Sequence, residues 1–267
     1  MGVNTTGTYN VSVGAYALDA NTTANDNTAI GYAALGANQT GTSNTAVGKS
    51  ALAINTGSYN TAMGHATLDA NTTGFQNTAV GYNAGTSIST GTNNTFIGSA
   101  VGVNCSTGLS NVLVGSGITG VAGATGEALT TGDFNVAVGN AALKLTTTAD
   151  NNTAIGTYAL AANSTGTDNV AVGKEALDAV TTSNGNIGIG NGTGSTTTNL
   201  VTGSGCILLG HASYTTATDS DYATAIGYNV AGEAGYTTLG VTSLDIRAQH
   251  GNVTWATVSD QRYKKDI

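Results

Sequence analysis

The sequence contains no proline, and only 8% of its 267 residues are charged. Without proline every residue keeps its backbone N–H donor, so hydrogen-bonded ladders can run without interruption. The net charge of −8 argues against nucleic acid or an anionic membrane surface as a partner. No apolar run approaches the ~20 residues of a membrane span. Met1 opens directly into polar sequence, so neither membrane insertion nor a secretion signal is expected.

The sequence has one regular feature, a short apolar segment that ends on glycine. It occurs fourteen times, and nine of the thirteen intervals between successive glycines are 17 residues long. A fixed period of this size is typical of a solenoid, in which each repeat is one coil stacked on the last. The glycines are Gly14, Gly31, Gly48, Gly64, Gly81, Gly98, Gly115, Gly139, Gly156, Gly173, Gly190, Gly210, Gly227 and Gly240.

Each repeat predicts one short strand before its glycine. The residue next to the glycine is always aliphatic, and the residue two places earlier is always Thr, Val or Ile, as in Ile30 and Thr28. Residues two apart share a face of a strand, and β-branched types suit that surface. We expect this to be the inner face of the coil. The predicted fold is all-β, a parallel β-roll or β-solenoid of about 14 coils with a ~17-residue repeat.

The residue between those two is also apolar. A strand with one buried face would carry polar residues there. We therefore expect this second face to pack against another copy of the chain around a shared axis. The residues at this position are Ala in eight repeats (Ala29, Ala46, Ala62, Ala79, Ala137, Ala154, Ala171, Ala225) and a larger apolar residue in three (Phe96, Leu113, Leu208).

Asparagine stands four residues before the glycine in eleven repeats, from Asn10 to Asn186. Stacked coils would align these amides in a ladder in which each donates to and accepts from its neighbours. N-x-T/S patterns, which are glycosylation acceptors in secreted proteins, also recur along the chain. We favour the ladder, because glycosylation would not require one fixed position in every coil.

Side chains that carry chemistry are scarce. Cys105 and Cys206 lie about six coils apart, which is ~29 Å at ~4.8 Å per coil, and a disulfide needs Cα atoms within about 7 Å. Two free thiols are therefore predicted. His65, His211 and His250 have no Cys, His or carboxylate at ligand spacing. We expect no metal and no cofactor, and we interpret His65 and His211 as exposed surface residues.

Two intervals are longer than the period, 24 residues from Gly115 to Gly139 and 20 residues from Gly190 to Gly210. Insertions in solenoids form loops on one face, often the binding face. Segments 117–131 and 191–205 are thus expected either to protrude and contact a receptor or to serve only as longer corners.

The last nine residues, S-D-Q-R-Y-K-K-D-I, concentrate charge after a nearly uncharged repeat region. They resemble the opening S-D-x-R-x-K-x-x-I of the intramolecular chaperone domain at the C-terminus of phage tail spikes and fibres, including endosialidases. The resemblance implies a trimeric chaperone that cuts itself off once, with Ser259 as nucleophile and Lys264 as its base. Asp260 and Arg262 match the motif, and Tyr263 stands where the family often has leucine. Only the start of that domain, residues 259–267, is expected in this chain.

The repeats N-T-A-V-G and N-T-A-I-G followed by Y-x-A-L are similar to the head repeats of trimeric autotransporter adhesins. That resemblance implies a left-handed parallel β-roll assembled as an intertwined or side-by-side homotrimer. We expect the roll to occupy residues 1–240. Residues 241–258 are predicted to form a β-hairpin neck, because S-L-D-I-R alternates, His250 and Gly251 begin a turn, and V-T-W-A-T-V returns.

The functional expectation is a structural and host-adhesion protein of a phage tail fibre. Its partners would be two further copies and a host-cell receptor, either a glycan or an outer-membrane component. It would be assembled in the host cytoplasm and carried on the virion tail. No turnover enzyme is expected. One alternative is a bacterial trimeric adhesin at the cell surface, and another is an ice-binding β-solenoid suggested by the ranked threonines.

Overall fold

The computed structural model describes residues 3–117, 123–195, 199–242, 244–251 and 256–257. The chain is an all-β parallel β-solenoid of about 13 turns with a repeat of about 17 residues, and no helix occurs in those ranges. The predicted fold class is confirmed. The chain divides into two compact units, Met1–Asp150 and Asn151–Ile267.

The first unit contains one three-residue strand per turn. Each strand pairs in parallel with the next, and equivalent residues stack: Ala29 pairs with Ala46, and Ala46 with Ala62. Every strand ends immediately before a repeat glycine, as the sequence predicts. The strands are β1 (Val11–Val13), β2 (Thr28–Ile30), β3 (Thr45–Val47), β4 (Thr61–Met63), β5 (Thr78–Val80), β6 (Thr95–Ile97), β7 (Val112–Val114) and β8 (Val136–Val138).

The second unit begins in the same way and ends differently. Strands β9 to β12, β14 and β16 pair in parallel in that order, and β13 pairs with β15 in a separate two-stranded sheet. Strand β17 is antiparallel to both β16 and β18. The bounds are β9 (Thr153–Ile155), β10 (Val170–Val172), β11 (Ile187–Ile189), β12 (Ile207–Leu209), β13 (Tyr214–Thr215), β14 (Thr224–Tyr228), β15 (Ala231–Gly232), β16 (Tyr236–Val241), β17 (Leu244–Gln249) and β18 (Ala256–Thr257).

The two faces of the strands are the reverse of the sequence prediction. The middle residue of a strand points into its own coil, so Ala29 and Phe96 are 0% exposed in a single chain. The residues that flank it point outward, and Ile30 is 39% exposed. The expectation that the β-branched and aliphatic residues form the inner face was therefore wrong. So was the expectation that the Ala, Phe96, Leu113 and Leu208 positions pack between chains.

The turn after each glycine supplies the bulk of the core, which explains the reversal. A leucine in this turn is fully buried in most coils, as Leu35 and Leu160 are, and it fills the interior opposite the small alanine of the strand. Where the turn carries glycine instead, the strand residue is large. A Cβ on Gly85 would lie 2.6 Å from Phe96 Cδ2, and a Cβ on Gly126 would lie 2.7 Å from Leu113 Cδ1. A large strand residue thus lies beside a small turn residue and a small strand residue beside a large one, so that the interior of the coil stays filled.

The glycine that ends each strand is required by conformation and by space. Gly31 has a φ of +135°, a region that residues with a Cβ rarely adopt. A Cβ there would also lie 2.5 Å from the carbonyl oxygen of Gly48 in the next turn. This close approach of backbones is the physical reason for the period that the sequence displays.

The asparagine ladder is confirmed. Asn94 accepts at Oδ1 from the backbone N of Asn111 at 2.9 Å, and its Nδ2 donates to Gly108 O at 2.7 Å and to Asn77 Oδ1 at 3.1 Å. From Asn27 to Asn186 these side chains are 0% exposed. Because a buried amide is closed to a modifying enzyme, the glycosylation interpretation has no support at these positions.

The structure contains a second row of buried asparagines that the sequence analysis did not predict. Asn38 donates from Nδ2 to Gly41 O at 2.9 Å and accepts from Gly41 N at 3.0 Å, which closes a coil corner as an Asx turn does. The row is broken by apolar residues in the middle of the chain, and Cys105 occupies one of its places. Its asparagines with 0% exposure are Asn21, Asn38, Asn55, Asn71 and Asn163.

Both cysteines are free and buried, as predicted. Burial raises the pKa of the Cys105 thiol to about 12, and it also raises the pKa of Cys206. Cys206 stands in the asparagine ladder and continues it through its backbone, since its N donates to Asn186 Oδ1 at 2.9 Å. These thiols are packing residues and not nucleophiles.

The two insertions are shorter than the predicted loops. Residues Ala124 and Leu129 are already buried in the coil, as are Gly192 and Leu200. Much of segments 117–131 and 191–205 is therefore ordinary turn, and the prediction that they protrude over their whole length was wrong. Residues 118–122 and 196–198, between those turns, lie outside the described ranges. In the first insertion, Glu127 Oε2 accepts from Gly123 N at 2.6 Å, which fixes the return to the coil.

Candidate functional site

The most extensive candidate site in each unit is the outward side of its strands, here called the outward face. In the first unit it consists of the first and third residues of β1 to β8. In the second unit it consists of the same residues of β9 to β12, together with Thr224 and Ile226 of β14 and Thr237 and Leu239 of β16. In each strand that continues the solenoid these side chains stack on their equivalents in the next turn.

The outward face carries aliphatic and threonine side chains and contains no charged residue. The third residue of every strand in it is aliphatic, and several remain well exposed, such as Met63 at 45% and Ile189 at 43%. With turns ~4.8 Å apart and three-residue strands ~10 Å wide, the eight strands of the first unit present about 380 Å² of surface, threonines included. The largest apolar patch on a typical monomer is about 300–600 Å² and is often functional, so the outward face is a candidate interaction surface.

A threonine column runs along the same face beside the aliphatic column. Thr28, Thr45, Thr61, Thr78 and Thr95 occupy five successive turns. The sequence analysis correctly placed threonine and aliphatic residue on one side of the strand, but on the wrong side of the coil. The column then changes to valine and isoleucine in β7, β8 and β10 to β12.

Aromatic residues border the outward face just beyond the glycine. His65 and Tyr82 stack with ring centroids 5.4 Å apart, and His211 and Tyr228 stack at 5.2 Å. All four side chains are exposed, which confirms the interpretation of His65 and His211 as surface residues. Stacked rings on adjacent turns stiffen the edge of the face and offer amphipathic contact area.

The predicted self-cleavage residues lie outside the described residues. This holds for Ser259, Lys264, Asp260 and Arg262. Strand β17 and strand β18 pair antiparallel within the predicted neck, with Ile246 opposite Thr257. The tail that follows remains a prediction from the sequence.

Within the described residues there is no cluster of three or more His, Cys, Asp or Glu side chains that could hold a metal ion. A search of the same residues finds no helix long and apolar enough to cross a membrane. Comparison with protein-family models, with curated proteins and with solved structures found no match.

Proposed function

We propose that this chain is a structural and host-adhesion protein of a phage tail fibre and acts as a homotrimer. The observation that carries the proposal is the outward face of each unit, an uncharged surface with a row of exposed aliphatic side chains. Full burial of an aliphatic side chain contributes ~1.5–3 kcal/mol. Because residues such as Ile30 are already more than half buried in the single chain, contact between copies would add a fraction of that value from every turn. Three identical faces can close around one axis, and closure leaves no apolar patch for further growth.

The geometry of the face suits a second copy of the same chain. A repeat of one strand per turn gives every copy the same spacing, so valine, isoleucine and methionine side chains can interdigitate over many turns. The surface lacks the charges that would oppose close approach of identical chains. The resemblance of the repeats to trimeric adhesin heads supports the number three, and the resemblance of the tail to a phage chaperone domain supports a virion fibre.

Two alternatives remain distinct from this proposal. A bacterial trimeric adhesin would use the same face in the same way and would differ in its location at the cell surface. An ice-binding solenoid is favoured by the exposed threonine column. The threonine column is interrupted, however, because Val112, Val136 and Ile187 stand where other turns have threonine. The regular array of hydroxyl groups expected of an ice-binding surface is therefore lost.

Host adhesion is tested by incubating the fluorescently labelled protein with a panel of bacterial strains. We expect saturable binding to a subset of strains, and unlabelled protein should abolish it. Binding should also protect those strains from the phage whose genome encodes the chain. Equal, unsaturable binding to every strain, or none to any strain, contradicts an adhesive function.

The tail motif predicts a single self-cleavage at Ser259 when the chain is expressed with the downstream chaperone domain that the motif implies. Lys264 is the candidate base, because a lysine whose pKa is lowered by burial can accept the serine proton. The wild-type precursor should give two bands on a denaturing gel, whereas Ser259→Ala and Lys264→Ala should each give one. Tyr263→Leu, which restores the residue common in the family, serves as the control and should still cleave. Cleavage of the Ser259→Ala variant contradicts the assignment.

A further inference from the structure

Asp245 lies where the parallel ladder gives way to the antiparallel strands β16 and β17. Its side chain is 5% exposed, and its Oδ1 has no hydrogen-bond partner. Thr238 in β16 is 1% exposed, and its Oγ1 also has no partner. Buried polar atoms without partners are rare in native proteins. Two of them at the same end of the solenoid require an explanation.

The surrounding backbone makes room for this carboxyl group. Thr238 stands in register with Ala225 of β14, so it replaces the small apolar residue of the coil interior. Asp245 pairs with Gly240 across the antiparallel strands. A Cβ on Gly240 would collide with Asp245 Oδ1, so the glycine is what allows the carboxyl group to occupy this position. Thr238, Gly240 and Asp245 together therefore define this buried polar position.

The charged and titratable groups on the adjoining elements are engaged with other partners. Arg247, two residues along β17, forms an ion pair with Glu233, and its guanidinium lies 5.1 Å from the ring centroid of Tyr236. His250 Nε2 lies 3.3 Å from Thr237 Oγ1. Among the described groups, no cation is paired with Asp245. Burial alone raises the pKa of its carboxyl group above the ordinary value.

We infer that Asp245 makes the end of the solenoid a pH-sensitive closure, in which β17 packs on β16 when the carboxyl group is protonated and loosens when it ionises. An exposed aspartate ionises near pH 3.9. Since the pKa is raised only in the closed state, the closed state is fully stable below about pH 4. It loses stability as the pH rises through the raised pKa, and it changes no further above that. This inference is independent of the proposed adhesive function.

Hydrogen exchange of the backbone amides in β17 and of His250 N, which donates to Gly235 O at 2.8 Å, tests the closure between pH 4 and pH 8. After correction for intrinsic exchange, the opening equilibrium constant of the wild type should rise by up to tenfold per pH unit within the transition. The same constant should be independent of pH in Asp245→Asn. Asp219→Asn, at an exposed aspartate, makes the same charge change and should behave as the wild type.

Two results would overturn the inference. One is an equal pH dependence in the wild type and in Asp245→Asn. The other comes from titration of the wild-type protein alone, followed by the carboxyl ¹³C shift of Asp245, which remains decisive if the variant does not fold. A midpoint at the ordinary value near 3.9 rules out the closure, and a higher midpoint supports it.

Discussion

Replacing Ile155 by glutamate should convert the proposed trimer into folded monomers. Ile155 is the outward residue of β9 and is 40% exposed in the single chain, so the coil accommodates a charge there. In the assembly, three carboxylates would meet in an apolar interface without partners, at a cost of ~4 kcal/mol or more. The dissociation constant should therefore rise at least about a thousandfold. Light scattering measures the mass, and circular dichroism should show an unchanged β spectrum.

The neighbouring residue provides the matched comparison. Ala154 is 0% exposed and faces the interior of its own coil, so Ala154→Glu should abolish folding and not merely assembly, because a charge would be buried within one chain. Thr165→Glu, at an exposed position, adds the same charge and should leave both mass and fold unchanged. If Ala154→Glu gives a folded monomer while Ile155→Glu stays trimeric, the two faces have been assigned the wrong way round.

Replacing Asn94 by alanine should destabilise the protein more than any change of a surface side chain. The substitution leaves Gly108 O and Asn111 N without their side-chain partners in a fully buried ladder. Each unpaired buried group costs ~1–3 kcal/mol, so the two groups together should lower the free energy of unfolding by about 2–6 kcal/mol. The measurement is the chemical denaturation midpoint at fixed protein concentration.

Thr90→Ala is the control for Asn94→Ala. Thr90 lies in the preceding turn and is exposed, so its loss should change the free energy of unfolding by no more than ~0.5 kcal/mol. Equal small effects of the two substitutions would mean that the amide ladder adds nothing to stability and that the aliphatic and leucine contacts suffice.

Much of the fold can be predicted from the sequence because it repeats one local geometry. The repeat glycine, the strand that precedes it and the stacked asparagines all depend on contacts between neighbouring turns, as Gly31 beside Gly48 O illustrates. One sequence period is enough to reveal such contacts. The positions of β1 to β12 followed directly. Strands β14 and β16 extend past their repeat glycines, and β13 and β15 were not predicted.

The sequence of a strand alone does not show which of its two faces points into the coil. Thr28, Ala29 and Ile30 alternate in the way expected for either face, and the sequence analysis placed Thr28 and Ile30 inside because β-branched residues suit a strand surface. The deciding signal lies elsewhere in the repeat. Leu35 and its equivalents fill the core from the turn, and glycine replaces them near Phe96 and Leu113. This exchange of size between turn and strand shows which strand residue faces inward.

The candidate site was missed for the same reason. Once Ile30 and its equivalents were placed in the core, the only apolar surface left for a partner was the alanine position. Burial of Asp245 is a second feature that the repeat could not reveal, because it occurs once, at the antiparallel pairing of β16 and β17. Features that occur once depend on tertiary contacts and not on the period.

The mass of the native protein in solution tests the central claim most directly. At micromolar concentration, light scattering should give three times the 26.2 kDa of one chain, because the outward face of every copy is then covered by the others. A particle of 26.2 kDa that retains the β spectrum would contradict the account, since the outward face would then be stable in water without a partner.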